Sequence, residues 1–346
     1  MDKNLAILYR DDRKYEEQLQ YLEEGINTII VMIPAECHHF CALANSIYDS
    51  LTKNKVRKNV KIIFVGNFTN DYNNVNLKMN GYKYNTILVP FPHTPFDIFT
   101  YHKQKAHFPD VVEQNNTKDS KVSFIYYGHR VERDVIVCEL YKRNLLQNTI
   151  YHSDWKQDRV GKTVYSQVSD FDEIGYKDFH TYEKVKNLLP KKIEKYHSND
   201  DNFYPRTIEI ASKSLFYIVA ETNVSFGDNI NVATEKSAIP FFSKSIPAFI
   251  TGNSLDAVLW FENLGFDCFT DIIPYKIYEL DLLEKIQNII QIIEQTDIDF
   301  FERNIDRFNK NYQLAKKLVN SGDTTERTIE YIIKKYNLNI VKEFLK

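Results

Sequence analysis

The stretch Phe216-Tyr217-Ile218-Val219-Ala220-Glu221-Thr222-Asn223, followed by Thr234-Glu235-Lys236 and then by Ile246-Pro247-Ala248-Phe249-Ile250-Thr251-Gly252, decides how this chain folds. Two continuous apolar runs of strand length are each closed by polar or small residues, and a helix start lies between them. Thr234 has the residue type of an N-cap, and Glu235 and Lys236 fall in the first turn. An acid there complements the helix dipole, whereas a lysine does not, because cations favour the opposite end. A first-turn lysine makes physical sense when an anion joins it, since free backbone N–H groups at a helix N-terminus already attract phosphate.

Upstream of this unit the same alternation recurs. Val122 to Tyr127 predicts a strand, Gly128-His129-Arg130 a turn, Val131 to Leu146 an amphipathic helix and Thr149 to His152 a short strand, before a polar, irregular stretch to about Asp201. In the first third, Asn4 to Tyr9, Thr28 to Ile33, Val60 to Val65 and Thr86 to Val89 are apolar runs separated by helical stretches such as Arg13 to Glu24 and Glu36 to Leu51. Continuous apolar strands with helices between them argue for parallel sheets covered on both faces, so the fold class is α/β, with Rossmann-like halves. Asp110 to Lys121 is polar and aperiodic and predicts the linker. The expected domains are therefore residues 1–115 and 120–330.

Downstream, Ser254 to Leu264 predicts a helix with Gly265 as its C-cap, followed by a short strand ending at Phe269. Further helices are expected at about Tyr278 to Gln295, about Phe300 to Asn320 and Thr324 to Tyr336. Residues 331–346 would pack back on the first domain as a C-terminal helix.

A length of 346 residues fits two domains, and 43% hydrophobic residues suffice for two cores. The formal charge of −3 argues against a dedicated nucleic-acid coat. No apolar run approaches the roughly 18 residues of a membrane helix. Met1-Asp2-Lys3-Asn4 opens no signal-peptide core. A soluble, cytoplasmic chain with no membrane contact is expected. Cys37, Cys41, Cys138 and Cys268 lack metal or disulfide spacing and are expected to be reduced and mostly in the core. The abundance of Asn, Ile, Lys and Tyr looks like AT-rich coding and hints at a viral or phage source.

The signature resembles the donor-binding segment of GT-B glycosyltransferases, most of all the family 10 fucosyltransferases, in which an apolar strand, Glu-Asn-Ser, a loop, Thr-Glu-Lys and a small-residue strand carrying Pro follow one another. The resemblance covers about Val122 to Asp271. It implies two Rossmann-like domains facing a central cleft, with the donor on the C-terminal half and the acceptor on the N-terminal half. It further implies inverting, metal-independent transfer from a nucleotide-sugar, GDP-fucose among the candidates, to a glycan hydroxyl. By the same resemblance Glu235 contacts the ribose and Lys236 the phosphates, with Thr234 opening their helix. The family's Glu-Asn-Ser becomes Glu221-Thr222-Asn223 here, leaving the donor-side role with either Glu221 or Asn223. An arginine at the start of the upstream helix reaches the diphosphate in that family. Arg133 is the first match and Arg130 the alternative. Planar, bidentate guanidinium donors suit that task.

Transfer also needs a base on the acceptor hydroxyl. In open α/β sheets, ligands lie at the carboxyl ends of strands. That places Glu36, Asp71, His93 and Asp97 as candidates, with Glu36 first because it follows a central-looking strand and opens a helix beside His38 and His39. The triplets Asp170-Phe171-Asp172 and Asp297-Ile298-Asp299 are short enough to arise by chance, and neither metal nor cofactor is expected. Lys53 to Lys61 is the only dense basic run, and it keeps a hydroxymethylated DNA base in view as an alternative acceptor. A nucleotide-sugar-binding protein without turnover is the remaining alternative.

Overall fold

Among the described residues, two four-stranded parallel sheets organise the chain. The computed structural model describes residues 5–9, 28–37, 47–49, 53, 61–68, 85–90, 117–127, 131–154, 168–186, 203–220, 235–250, 254–321, 327, 330, 331 and 334. The first sheet contains β1 (Leu5–Tyr9), β2 (Thr28–Cys37), β3 (Lys61–Phe68) and β4 (Asn85–Pro90) in that spatial order. Ile29, Ile30 and Val31 of β2 are fully buried, as are Ile62, Ile63 and Phe64 of β3. Burial of successive residues, which point to opposite faces, means that both faces of the sheet are covered.

The second sheet has β5 (Ser120–Tyr127), β6 (Thr149–Asp154), β7 (Ser214–Ala220) and β8 (Ile246–Ile250), ordered β6-β5-β7-β8. Every residue of β7 and β8 is buried. Pro247 lies within β8 and pairs with Tyr217. Proline has no N–H for a ladder, and β8 tolerates it because it is an edge strand of this sheet.

The helices are α1 (Val131–Lys142), α2 (Val168–Glu173), α3 (Phe179–Val185), α4 (Phe203–Ala211), α5 (Glu235–Phe242), α6 (Ser254–Asn263), α7 (Tyr275–Tyr278), α8 (Leu282–Gln295), α9 (Phe300–Arg303) and α10 (Ile305–Ser321). Three expectations are corrected here. Residues from Val131 to Leu140 are buried all round, so α1 is an enclosed helix and not an amphipathic surface one. The stretch read as irregular holds α2 and α3, which an aromatic cluster stabilises: Phe171 lies 4.7 Å from Tyr182 and 5.6 Å from Tyr176 between ring centroids. Asp178 caps α3 by accepting from the Thr181 N–H at 3.1 Å. Third, β2 runs on to Cys37, so Glu36 lies inside a strand and does not open a helix.

The amino edge of the second sheet explains why the linker stops earlier than expected. Lys118 donates to Ser212 O at 2.7 Å and to Ser243 O at 3.2 Å, immediately after α4 and α5, and sits 4.4 Å over the Phe301 ring. A cation at two helix C-termini satisfies carbonyls that the helices leave open. Ser120 and Ser214, which open β5 and β7, share a hydroxyl bond of 2.7 Å, and Ser245 donates to Ala211 O and Ser214 O. Residues 117–121 are thus built into this domain.

Gly265 ends α6 as expected, with φ +99° and the Phe266 N–H returning to Phe261 O at 3.0 Å. The short strand expected after it does not form. Phe269 takes a left-handed φ of 54° and its N–H bonds Asp267 Oδ1 at 2.8 Å. Arg307 on α10 locks the turn, donating to Asp267 at 2.6 and 3.0 Å and to Asp271 at 2.9 and 2.7 Å, with its guanidinium 4.5 Å over the Phe269 ring. Asn311 adds bonds to the backbone N–H and carbonyl of Asp267.

The Arg307 hydrogen bond holds the Asp271 carboxyl below its usual range. A depressed folded pKa gives stability that is complete above the unfolded value of about 3.9 and is lost as pH falls through the folded value. Asp271 is 56% exposed, so water screens the pair and its contribution is about 1 kcal/mol or less. Asp271→Asn is therefore expected to lose that amount in urea unfolding at neutral pH, and the gap to the parent should close below pH 3. A gap independent of pH would show that the ion pair contributes nothing.

Candidate functional site

In the second sheet the chain moves from β5 outward to β6, then returns past β5 to β7 and β8. The direction of winding reverses between β5 and β7. With right-handed crossovers, α1 covers one face while α4 and α5 cover the other. The packing agrees: α1 lies against α3 and α8, and α4 against α5. The carboxyl ends of β5 and β7 therefore diverge at a topological switch point, the place where open α/β sheets bind ligands. The first sheet, ordered β1-β2-β3-β4, shows no such reversal among its described strands.

Arg133 sits in the first turn of α1 and is 1% exposed. Its Nη2 donates to Ala220 O at 3.3 Å. Ala220 is the last residue of β7 and directly precedes Glu221. The guanidinium thus ties α1, which follows β5, to the end of β7 across the switch point. The resemblance casts Arg133 as a clamp for diphosphate; in the structure its guanidinium is enclosed at this edge and donates to backbone. Glu132 and Asp134, 2% and 1% exposed, accompany it.

On the opposite face, α5 is described from Glu235 onward, and Lys236, its second described residue, is half-buried. Pro240 lies inside α5 and has no N–H to give the Lys236 carbonyl, so backbone bonding of that turn is reduced by one. The structure brings Arg133, the end of β7 and the start of α5 to one edge of one sheet. Arg130, Glu221, Asn223 and Thr234 lie outside the described residues, as do Asp71, His93 and Asp97.

Glu36 belongs to the first sheet, near the carboxyl end of the inner strand β2. The register between β2 and β3 is irregular there. Pro34, Ala35 and Glu36 fall between the pairs Ile33↔Gly66 and Cys37↔Phe68, where β3 has Asn67 alone. Extra residues in one strand make it bulge, and proteins use such bulges beside active sites to re-aim a side chain.

One further charged group lies outside the signature. Lys285, in the first turn of α8, is 1% exposed. Burial pulls its ammonium down to about 8, and Asp281 opposes that shift. The available signal was its spacing, since Lys285, Ile289 and Ile293 form one i, i+4, i+8 stripe. The aspartate triplets serve other ends. Asp170 and Asp172 lie in α2, with Asp172 exposed, and Asp297 pairs with Arg303 at 3.3 Å. No described helix is long and apolar enough to cross a membrane.

Compared with protein-family models, curated proteins and solved structures, the chain matches none.

Proposed function

We propose that the chain is a glycosyltransferase that moves a sugar from a nucleotide diphosphate to an acceptor hydroxyl, with its two parallel sheets as the acceptor and donor halves of a GT-B enzyme. The observation that carries this reading is the switch point between β5 and β7, bordered by the first turn of α5 with Glu235 and Lys236. A first-turn cation beside free helix N–H groups is suited to phosphate. Arg133 supports the reading indirectly, because its bond to Ala220 O fixes where β7 hands over to Glu221 and Asn223. In the reaction, the acceptor oxygen attacks the anomeric carbon and its proton passes to the base, Glu36 in this reading. The carbon–oxygen bond to the diphosphate breaks with inversion, and Lys236 carries the departing charge. Fucose from GDP-fucose and a glycan acceptor are the preferred substrates by resemblance of the signature.

A thermal-shift panel of nucleoside diphosphates tests this directly. A ligand at 100 times its Kd stabilises the folded state by about 2.7 kcal/mol. One nucleotide, GDP first, is expected to raise the melting temperature. Lys236→Ala should fold normally yet weaken that nucleotide roughly 10- to 100-fold, the range for a lost charged hydrogen bond. A panel in which no diphosphate shifts the transition would sink the proposal.

A further inference from the structure

Asp154 is the last described residue of β6 and stands directly opposite Tyr127, the last described residue of β5. Both lie at the carboxyl edge of the second sheet. Neighbouring strands are about 4.8 Å apart, so the acid is one strand spacing from the near side of the β5–β7 switch point. The chain runs from β5 through Gly128 into α1 and back to β6. With β7 on the other side of β5, this order repeats the centre of a mononucleotide-binding sheet. In such sheets the phosphate is held after the first strand, and an acid reached after the first helix hydrogen-bonds the ribose.

An acid beside a phosphate crevice is repelled by the phosphate itself, so its place there is explained by the uncharged, hydroxylated part of the ligand. Ribose presents two neighbouring hydroxyls, and an ionised carboxylate offers two oxygens that only accept. Hydrogen bonds from hydroxyl to carboxylate are charge-assisted and short. The cations at this edge, Lys236 and Arg133, are donors only and cannot accept from a hydroxyl.

We propose that Asp154 is the ribose-binding residue of the nucleotide site, accepting hydrogen bonds from the 2′- and 3′-hydroxyls and so selecting ribonucleotides over deoxyribonucleotides. The proposal rests on the nucleotide-sugar reading above and fixes the direction of the ligand along the edge. The ribose and α-phosphate lie over β5 toward β6, and the β-phosphate with its sugar lies toward β7 and Lys236, which carries the departing charge. The resemblance gives the ribose to Glu235, on the other side of the switch point, whereas the strand order gives it to Asp154.

The test is calorimetric titration of the full chain with GDP and UDP and with their 2′-deoxy counterparts, comparing the parent with Asp154→Ala, Asp154→Asn and Glu235→Gln. The parent is expected to favour the ribonucleotide roughly 10- to 100-fold, the range for one charge-assisted hydrogen bond. Asp154→Ala should erase that preference by weakening the ribonucleotide while leaving the deoxy form within about twofold, a pattern that a defect of the whole fold would not produce. Asp154→Asn keeps one acceptor oxygen and should fall between the two, and it carries the comparison if the alanine variant unfolds. A parent without the preference, or a variant at Asp154 that keeps it in full, overturns the proposal. So does its loss in Glu235→Gln alone, which would return the ribose to Glu235. A parent chain that binds none of these diphosphates removes the nucleotide-sugar reading itself, and the role of Asp154 goes with it.

Discussion

Replacing Arg133 by leucine is expected to destabilise the protein by about 1.5–3 kcal/mol, the range for a buried hydrogen bond from a charged donor. The side chain is 1% exposed and donates to Ala220 O, and the acids on either side of it in sequence are buried as well. Without the guanidinium, Ala220 O loses its charged donor inside the fold, and leucine offers no hydrogen bond in its place. Arg133→Lys should recover only part of the loss, since a point charge on a flexible stem cannot reproduce the planar donor set. Denaturant unfolding of both variants decides the matter: a leucine variant within 1 kcal/mol of the parent would mean that the site is not held by this charge. The same variants address ligand binding. If the chain binds diphosphate, Arg133→Lys should weaken it, because the carbonyl it holds is the last one before Glu221. Should Arg130→Lys have that effect and Arg133→Lys have none, the phosphate-reaching arginine is one helical turn earlier.

Both sheets were legible because their strands are apolar runs bounded by polar residues. Leu215 to Ala220 and Ile246 to Ile250 have no other use in a protein of this composition than as strands covered on both faces. The C-cap at Gly265 was legible for a local reason, a left-handed φ that glycine adopts freely. Tertiary contacts decided the rest. Pro34, Ala35 and Glu36 look like the end of a strand, yet β2 resumes its pairing at Cys37 through the irregularity opposite Asn67. The helices α2 and α3 are short, and Phe171, Tyr176 and Tyr182 hold them by ring contacts distributed over several elements. Phe266 to Phe269 has strand-like composition, but Arg307, 36 residues or more downstream, bends it into a left-handed turn through Asp267 and Asp271. The candidate site divides the same way. Lys236 was visible because it breaks the dipole rule for a helix start, whereas the tie from Arg133 to the last residue of β7 appears only when α1 and β7 are brought together.

Glu36→Gln is expected to reduce sugar transfer by roughly 10²- to 10⁴-fold while leaving nucleotide binding unchanged, the range for loss of a general base. The position supports this choice over a merely solvated acid. Ligands of parallel sheets lie at the carboxyl ends of strands, β2 is an inner strand, and Glu36 is near its carboxyl end. Three residues of β2 stand opposite one residue of β3 at this point, so the strand pairing is irregular where Glu36 falls. The amide keeps size and shape, so a large loss of turnover with intact nucleotide affinity isolates the missing proton acceptance. Single-turnover kinetics would separate that loss from slow product release. Turnover within a few-fold of the parent would remove Glu36 from the chemistry and move the base to Asp71, His93 or Asp97, where the corresponding Asn or Gln substitutions apply the same criterion.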